Sequence, residues 1–210
     1  MINITKIKPI ISKEKIFEKL HIVEGTEAFK SADNIFEELS DIVTNNMKLT
    51  AVYKVTDSLN INFEESEKYK KYIICFISSD DNINEISHEM MSSGNYMKGY
   101  LLNEIAVNVI FRASNELNQK LRKQAAICGY NLSRSYAPGD GAINLNAQRL
   151  LLEVIKKETE LNACLNEAQV LIPERSLLYM FGIMEGVGDS ESCNSCSYCK
   201  NLNCQHREKQ

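Results

Sequence analysis

Four cysteines stand close together near the end of the printed sequence, and their spacing suits the binding of a metal. They lie in the stretch CNSCSYCKNLNC, which begins at residue 193. Thiolate sulfur is a soft ligand that favours iron–sulfur clusters and zinc. Two consecutive gaps of two residues match the spacing of ferredoxin-type iron–sulfur sites. We therefore expect a [4Fe-4S] cluster held by Cys193, Cys196, Cys199 and Cys204.

Other chemistry for the same cysteines stays open. Zinc held by all four thiolates is the first alternative, although zinc sites usually have two cysteine pairs separated by a longer spacer. His206 could replace one thiolate. Free or redox-active thiols are a further alternative, and a bound metal could serve only as a structural clip for the terminus.

Composition and charge exclude several classes of function. The chain has 210 residues, of which 44% are hydrophobic and 25% charged, as in ordinary globular proteins. Its formal net charge of -4 provides no basic field for nucleic acid or an anionic membrane surface. No apolar run is long enough for a signal peptide or a membrane span. We expect a cytoplasmic protein that binds neither nucleic acid nor membrane.

The remaining three cysteines are interpreted as small core residues. Cys75 lies in the apolar segment YIICFI, and Cys128 and Cys164 stand singly near the ends of segments. Free cysteine is among the most often buried residue types. The odd total of seven also argues against a disulfide framework.

Hydrophobic periodicity predicts the elements that would position these groups. Helices are expected at residues 13–20, 27–46, from about 83, at 98–126 and after 146. The longest of them has a continuous apolar stripe of Leu102, Ala106, Val109, Ala113, Leu117 and Leu121.

Strands are expected at residues 49–55 and 71–77, with shorter strands over 164–187. The acidic stretch FEESEKYKK, residues 63–71, is interpreted as a solvated turn. No strand–helix–strand unit repeats, which favours an α+β fold over a doubly wound sheet. The composition changes abruptly after Gly188, so we expect one domain over residues 1–188 and a cysteine-rich tail over 189–210.

The segment RSYAPGDG, residues 134–141, places a cation beside a tight turn. Such a loop could hold a carboxylate or another small polar ligand through the guanidinium and exposed backbone groups. In the alternative interpretation, it is an ordinary turn between two helices, and Arg134 caps a carbonyl or faces solvent.

Three motifs in one order resemble the activation (reactivation) domain of cobalamin-dependent methionine synthase, especially its free-standing form with a cysteine-rich tail. RSYAPGDGAINLNAQRLL resembles the ligand loop of that family. LIPERSLLYMFGI resembles its Pro-x-Lys-Ser segment. The third motif is the tail, Cys-x2-Cys-x4-Cys-x2-Arg. The positions in step are Pro138, Gly139, Gly141, Gln148, Pro173, Arg175, Ser176, Cys196, Cys199, Cys204 and Arg207.

The resemblance implies a twisted, mainly antiparallel sheet packed with helices, and it implies a set of binding residues. In the family, S-adenosylmethionine binds at the loop through an arginine and backbone groups. Here Arg134 stands five residues before Gly139, and Ser135 occupies the family's arginine position, four before. Asp140 replaces a tyrosine, and Asn103 replaces an aspartate of the long helix. The cofactor-binding set implied is Arg134, Ser135, Ala137, Pro138, Gly139, Asp140 and Asn103.

The function that the resemblance implies is part of a methionine synthase (methyltransferase) system. The chain would bind S-adenosylmethionine and support reductive methylation of cob(II)alamin on a separate methionine synthase or another corrinoid protein. An electron donor such as flavodoxin or ferredoxin would be needed. Two alternatives stay open: an iron–sulfur electron-transfer module, and a non-catalytic subunit that docks on a corrinoid protein and holds structural zinc.

Overall fold

The computed structural model describes residues 2–57, 59–80 and 82–186, and the chain folds into two compact units. Of the described residues, the sheet unit comprises those up to Thr5, those within Thr50–Ser78 and those from Ser114 to residue 186. The helical unit comprises Lys6–Leu49 and Ser79–Ala113. Each unit is described by itself.

A five-stranded sheet is the centre of the sheet unit. Its strands are β1 (Ile2–Ile7), β2 (Lys48–Thr56), β3 (Lys71–Asp80), β4 (Tyr130–Leu132) and β7 (Ser176–Glu185), in the spatial order β1-β2-β3-β7-β4. Strand β7 is antiparallel to both of its neighbours, with Ile74 opposite Met180 and Leu132 opposite Ile183. Strands β5 (Cys164–Leu165) and β6 (Leu171–Ile172) form a separate antiparallel pair.

The core of the sheet unit explains why these segments form strands. Strand β3 is rich in β-branched and aromatic residues, and it is buried from Tyr72 to Ser79. Helix α5 (Ala147–Lys156) adds the apolar side chains of Leu151, Leu152 and Ile155 to the same core. Other buried members of this core are Val52, Phe63, Tyr69, Tyr72, Ile74, Phe76, Tyr136, Ile143, Ala163, Leu171, Leu178 and Met180.

The helical unit contains α1 (Lys13–Lys19), α2 (Glu27–Asn46), α3 (Ile83–Ser92) and the first part of α4 (Tyr96–Ile127). Thr26 caps α2, since its hydroxyl oxygen accepts from the Phe29 backbone N–H at 3.1 Å. Helices α3 and α4 approach closely at Gly99, where an added Cβ would lie 2.6 Å from the Ser87 carbonyl oxygen. A glycine is therefore required there.

The predicted fold class is confirmed: the chain is α+β with a curled, antiparallel sheet and helices. Each predicted helix and the strands at β2 and β3 are present within a few residues. The predicted stripe of α4 is buried throughout. None of the helices in the described residues is long and apolar enough to cross a lipid bilayer.

Several expectations differ from the structure. Strands β1 and β4 were not predicted, and β7 is a ten-residue strand rather than a short one. The interpretation of three core cysteines is right for Cys75 and wrong for Cys128 and Cys164, which are exposed. The cysteine-rich tail lies outside the described residues, so the domain boundary after residue 188 stays a prediction.

Candidate functional site

The backbone of β7 fixes the start of the Pro-Gly loop, which comprises residues 133–143. Tyr136 and Met180 exchange two backbone hydrogen bonds of 2.9 Å. Beside them, the Ser133 N–H donates to the Gly182 carbonyl oxygen at 3.0 Å, and the Gly182 N–H donates to Ser133 Oγ at 2.8 Å. The loop therefore begins as a short extension of the sheet and not as a free turn.

The Asp140 carboxylate holds the second half of this loop in place. Its Oδ2 accepts from the Ala137 N–H at 3.1 Å, and its Oδ1 accepts from the Ala142 and Ile143 N–H groups at 2.8 and 3.3 Å. The Gly139 N–H also donates inside the loop, to the Ile143 carbonyl oxygen at 2.8 Å. Gly139 has a positive φ of 89°, a conformation that favours glycine.

Arg134, Tyr136, Glu65 and Tyr69 form a polar cluster at the first half of the loop, the Glu65 cluster. Glu65 Oε2 accepts from the hydroxyls of Tyr136 and Tyr69, at 2.5 and 3.1 Å. The two hydroxyl oxygens lie 2.8 Å apart. Arg134 Nη2 lies 3.7 Å from Glu65 Oε1, and the guanidinium carbon lies 4.3 Å from the centre of the Tyr136 ring.

The environment of the Glu65 cluster fixes the charges of its members. The hydrogen bond from Tyr136 lowers the pKa of the Glu65 carboxyl, and Tyr69 and Arg134 act in the same direction, against the opposing effect of desolvation. Burial, with the neighbouring carboxylate, raises the pKa of the Tyr136 hydroxyl. Glu65 is therefore ionised at neutral pH, whereas the Tyr136 hydroxyl stays protonated and donates.

Packing and hydrogen bonds from neighbouring residues hold the Glu65 cluster and the start of the loop in place. The ring of Tyr69 packs on Gly182, where an added Cβ would lie 2.2 Å from a ring carbon. Phe63 packs against Tyr136 with ring centres 4.9 Å apart. Arg122 of α4 donates to the carbonyl oxygens of Leu132 and Ser133, each at 2.7 Å. The start of the loop is thus held by Arg122 through the Leu132 and Ser133 carbonyl oxygens and by the packing of Phe63 on Tyr136.

Six predicted binding residues lie on the Pro-Gly loop, and Asn103 lies on α4 in the helical unit. The six are Arg134, Ser135, Ala137, Pro138, Gly139 and Asp140. The role of all seven in binding stays a prediction. The alternative interpretation had Arg134 capping a carbonyl or facing solvent; among the described residues it contacts Glu65 and the Tyr136 ring. The arginine that donates to carbonyl oxygens near the loop is Arg122.

Gln148, a position in step with the family motif, lies at the start of α5 and is buried. Its Nε2 donates to the Gln169 carbonyl oxygen at 2.7 Å, and this bond joins α5 to the turn between β5 and β6. The four tail cysteines predicted to bind metal lie outside the described residues. Within the described residues, no group of three or more His, Cys, Asp or Glu side chains is placed to hold a metal ion.

The sequence interpretation missed Glu65, Tyr69 and Tyr136. The stretch FEESEKYKK is not simply a solvated turn, because Phe63 and Tyr69 are buried and Glu65 accepts hydrogen bonds from two tyrosines. Two aromatic residues that flank an acidic pair could have indicated partial burial. Which carboxylate would turn inward could not be read from the sequence.

A shallow groove borders the Glu65 cluster at Tyr69. Its volume is about 260 Å³, and its lining residues are Asp57, Leu59, Ile61, Ser66, Glu67, Tyr69 and Tyr72. A second groove of about 520 Å³ lies between α5 and β5. Neither groove is lined by a residue of the Pro-Gly loop.

No family model matches the sequence, and no curated protein matches it. Among solved structures, the chain is similar to the MetH reactivation domain bound to AdoHcy, with a TM-score of 0.62 at 8% sequence identity. The similarity covers 87% of this chain and 78% of that one. The chain has the fold of a MetH reactivation domain. The fold that the three motifs implied is thus confirmed, although an identity of 8% shows the fold alone.

Proposed function

We propose that the chain is an activation component for a cobalamin-dependent methionine synthase or a related corrinoid methyltransferase. The observation that carries the proposal is the fold, which is that of a reactivation domain whose structure contains AdoHcy. The Pro-Gly loop adds independent support, because the motif that suggested the function forms an anchored loop with an arginine at its first half.

The described residues are compatible with S-adenosylmethionine at this loop. Arg134 contacts Glu65 at 3.7 Å, beyond hydrogen-bond length, so its guanidinium keeps N–H groups that can donate to a ligand carboxylate. The N–H groups of Ala137 and Gly139 already donate within the loop. The loop would therefore offer carbonyl oxygens to the ligand ammonium, with Ser135, Pro138 and Asp140 beside them. For Asn103, the resemblance alone supports a role in binding.

When bound, S-adenosylmethionine supplies the methyl group for a corrinoid carried by the partner protein. The task of this chain would be to hold the amino-acid end of the ligand and so direct its sulfonium group. Reduction of the corrinoid needs an electron donor, for which flavodoxin or ferredoxin is proposed. The cysteines at 193, 196, 199 and 204 would add a [4Fe-4S] cluster on the electron path, or else structural zinc.

A reactivation assay tests the proposal. The assay mixture contains cob(II)alamin-loaded methionine synthase, to which a reductant and S-adenosylmethionine are added. The protein tested is the wild type, Arg134→Ala, or Arg149→Ala as a control. Arg149 is an exposed arginine of α5 in the same unit. We expect the wild type and the control to restore methylcobalamin and Arg134→Ala to do so about tenfold more slowly at low ligand concentration. Equal rates with and without the wild-type protein would refute the proposal.

The tail is tested separately by the absorption spectrum and metal content of protein purified without oxygen. An iron–sulfur cluster gives broad visible absorption that is lost when Cys196 and Cys199 are replaced by serine. Zinc gives no visible band and leaves one metal ion per chain. If only the cluster is found, with no binding of S-adenosylmethionine to folded protein, the electron-transfer module becomes the better description.

A further inference from the structure

The Glu65 carboxylate is held in one orientation by two buried tyrosine hydroxyls. Tyr136 and Tyr69 both direct their hydroxyls to the same oxygen, Oε2. Tyr136 is fully buried and Tyr69 nearly so, and the Tyr69 ring packs directly on the backbone at Gly182. Because two donors take Oε2, the other oxygen, Oε1, is turned toward Arg134.

The guanidinium of Arg134 is in turn held between two partners. The Tyr136 ring lies on one face, 4.3 Å from the guanidinium carbon, and Glu65 Oε1 lies 3.7 Å from Nη2. An arginine side chain has several rotatable bonds and would otherwise sample many positions. We infer that Glu65 is a positioning residue, which aims Arg134 at the carboxylate of an amino-acid ligand through a carboxylate fixed by Tyr69 and Tyr136.

The role of Glu65 depends on the proposed function, since a ligand carboxylate is what Arg134 would be aimed at. The chemistry of glutamine makes the inference testable. In Glu65→Gln, the two tyrosine donors would keep the side-chain oxygen at the Oε2 position. The amide NH2 would then face the Arg134 guanidinium. Both groups are hydrogen-bond donors, so the favourable contact would be lost and the guanidinium would move away.

The test compares two ligands that differ only in the carboxylate. S-adenosylmethionine and its decarboxylated analogue are titrated calorimetrically into the full chain, as wild type, Glu65→Gln, Glu65→Asp, Arg134→Ala and the double variant Glu65→Gln/Arg134→Ala. The control is Glu64→Gln, which removes an exposed carboxylate one position away. We expect the wild type and the control to prefer the carboxylated ligand about tenfold, as one charge-assisted contact would give.

The preference should fall to roughly twofold in Glu65→Gln and in Arg134→Ala, and no further in the double variant, because the two residues act through one contact. Glu65→Asp keeps the charge and should retain more of the preference than glutamine does. A Glu65→Gln protein that keeps the wild-type preference would overturn the inference. So would equal weakening of both ligands, which indicates a general structural role.

A second measurement separates this inference from the proposed function. If the wild type binds neither ligand, the proposed function fails, and the side-chain Nε resonance of Arg134 in ¹⁵N-labelled protein decides the role of Glu65. We expect that resonance, assigned by its loss in Arg134→Ala, to shift toward the solvent-exposed arginines in Glu65→Gln and to stay in place in Glu64→Gln. An unchanged resonance in Glu65→Gln would overturn the inference.

Discussion

The two halves of the Pro-Gly loop differ in whether their polar groups are hydrogen-bonded within the loop. In residues 137–143, backbone N–H groups donate to Asp140 or to a carbonyl oxygen of the same segment. In residues 134–136, the charged group is a guanidinium whose contact with Glu65 is 3.7 Å long. In the closed half, residues 137–143, the backbone N–H groups named above are used within the loop. In the other half, the Arg134 guanidinium is positioned by Glu65 and Tyr136 but keeps N–H donors for a ligand.

This difference suggests that one residue sets the conformation of the loop and another binds the ligand. A carboxylate that accepts several backbone N–H groups fixes a turn without any ligand, so Asp140 can set the path of the loop. The Arg134 guanidinium, in the other half of the loop, keeps donors for a partner, and the proposed function therefore assigns ligand binding to it. Stability is therefore assigned to Asp140 and ligand affinity to Arg134, and this assignment can be tested.

The largest effect on stability is expected from Asp140→Ala. The substitution leaves the N–H groups of Ala137, Ala142 and Ile143 without their acceptor. We expect the free energy of unfolding, measured by urea denaturation, to fall by about 2 kcal/mol. Asp140→Asn keeps one acceptor oxygen and should lose roughly 1 kcal/mol.

Asp41→Ala is the matched control for this series, since Asp41 is an exposed aspartate of α2. Its free energy of unfolding should stay within about 0.5 kcal/mol of the wild type. Were Asp140→Ala as stable as this control, the closed half of the loop would not owe its shape to the carboxylate.

A smaller effect is expected from pH at the other half of the loop. The pKa of Glu65 in the folded chain is lowered from its ordinary value near 4.5, first by the hydrogen bond from Tyr136. The unfolded chain thus takes up the proton at higher pH than the folded chain does. The stabilisation is complete above about pH 4.5 and is lost as the pH falls through the folded pKa.

Urea denaturation between pH 7 and pH 3 measures the stabilisation contributed by ionised Glu65. The difference in free energy of unfolding between the wild type and Glu65→Gln should stay constant from pH 7 to about pH 4.5 and shrink below that pH. Tyr136→Phe should reduce the same difference, because it removes the first cause of the lowered pKa. A difference that is constant over the whole range would contradict the ionised, hydrogen-bonded Glu65.

Local pattern was sufficient to predict most of the fold. The apolar stripe of α4 and the β-branched run of β3 are buried where periodicity indicated, because both depend on spacing along a single element. Strands β1 and β4 are different. Strand β4 has three residues and is defined by its pairing with β7, so its own sequence holds little signal.

The candidate site was predictable only as a loop. Arg134 and Asp140 stand out because a cation, a proline and two glycines are adjacent in sequence. Glu65 is far away along the chain, 71 positions before Tyr136, and the two meet only because the short helical turn Ser66–Lys68 and the sheet bring them together. Such a contact depends on tertiary packing, which one sequence without structure does not contain.

The smallest effect is expected at Ser135, and it decides which residue takes the place of the family's arginine. Ser135 stands four residues before Gly139, whereas Arg134 stands five before. Of the two, only Arg134 has a charged side chain, and the Glu65 cluster holds it. Alanine at 135 preserves every backbone group of the loop, so the Kd for S-adenosylmethionine should change by less than about twofold.

Calorimetric titration of Ser135→Ala beside Arg134→Ala measures the contrast, with the thermal midpoint as a check on folding. A loss at Ser135→Ala as large as that at Arg134→Ala would mean that the serine hydroxyl itself contacts the ligand. Arg134 would then belong to the scaffold with Asp140, and the division of the loop into a closed half and a binding half would have to move by one residue.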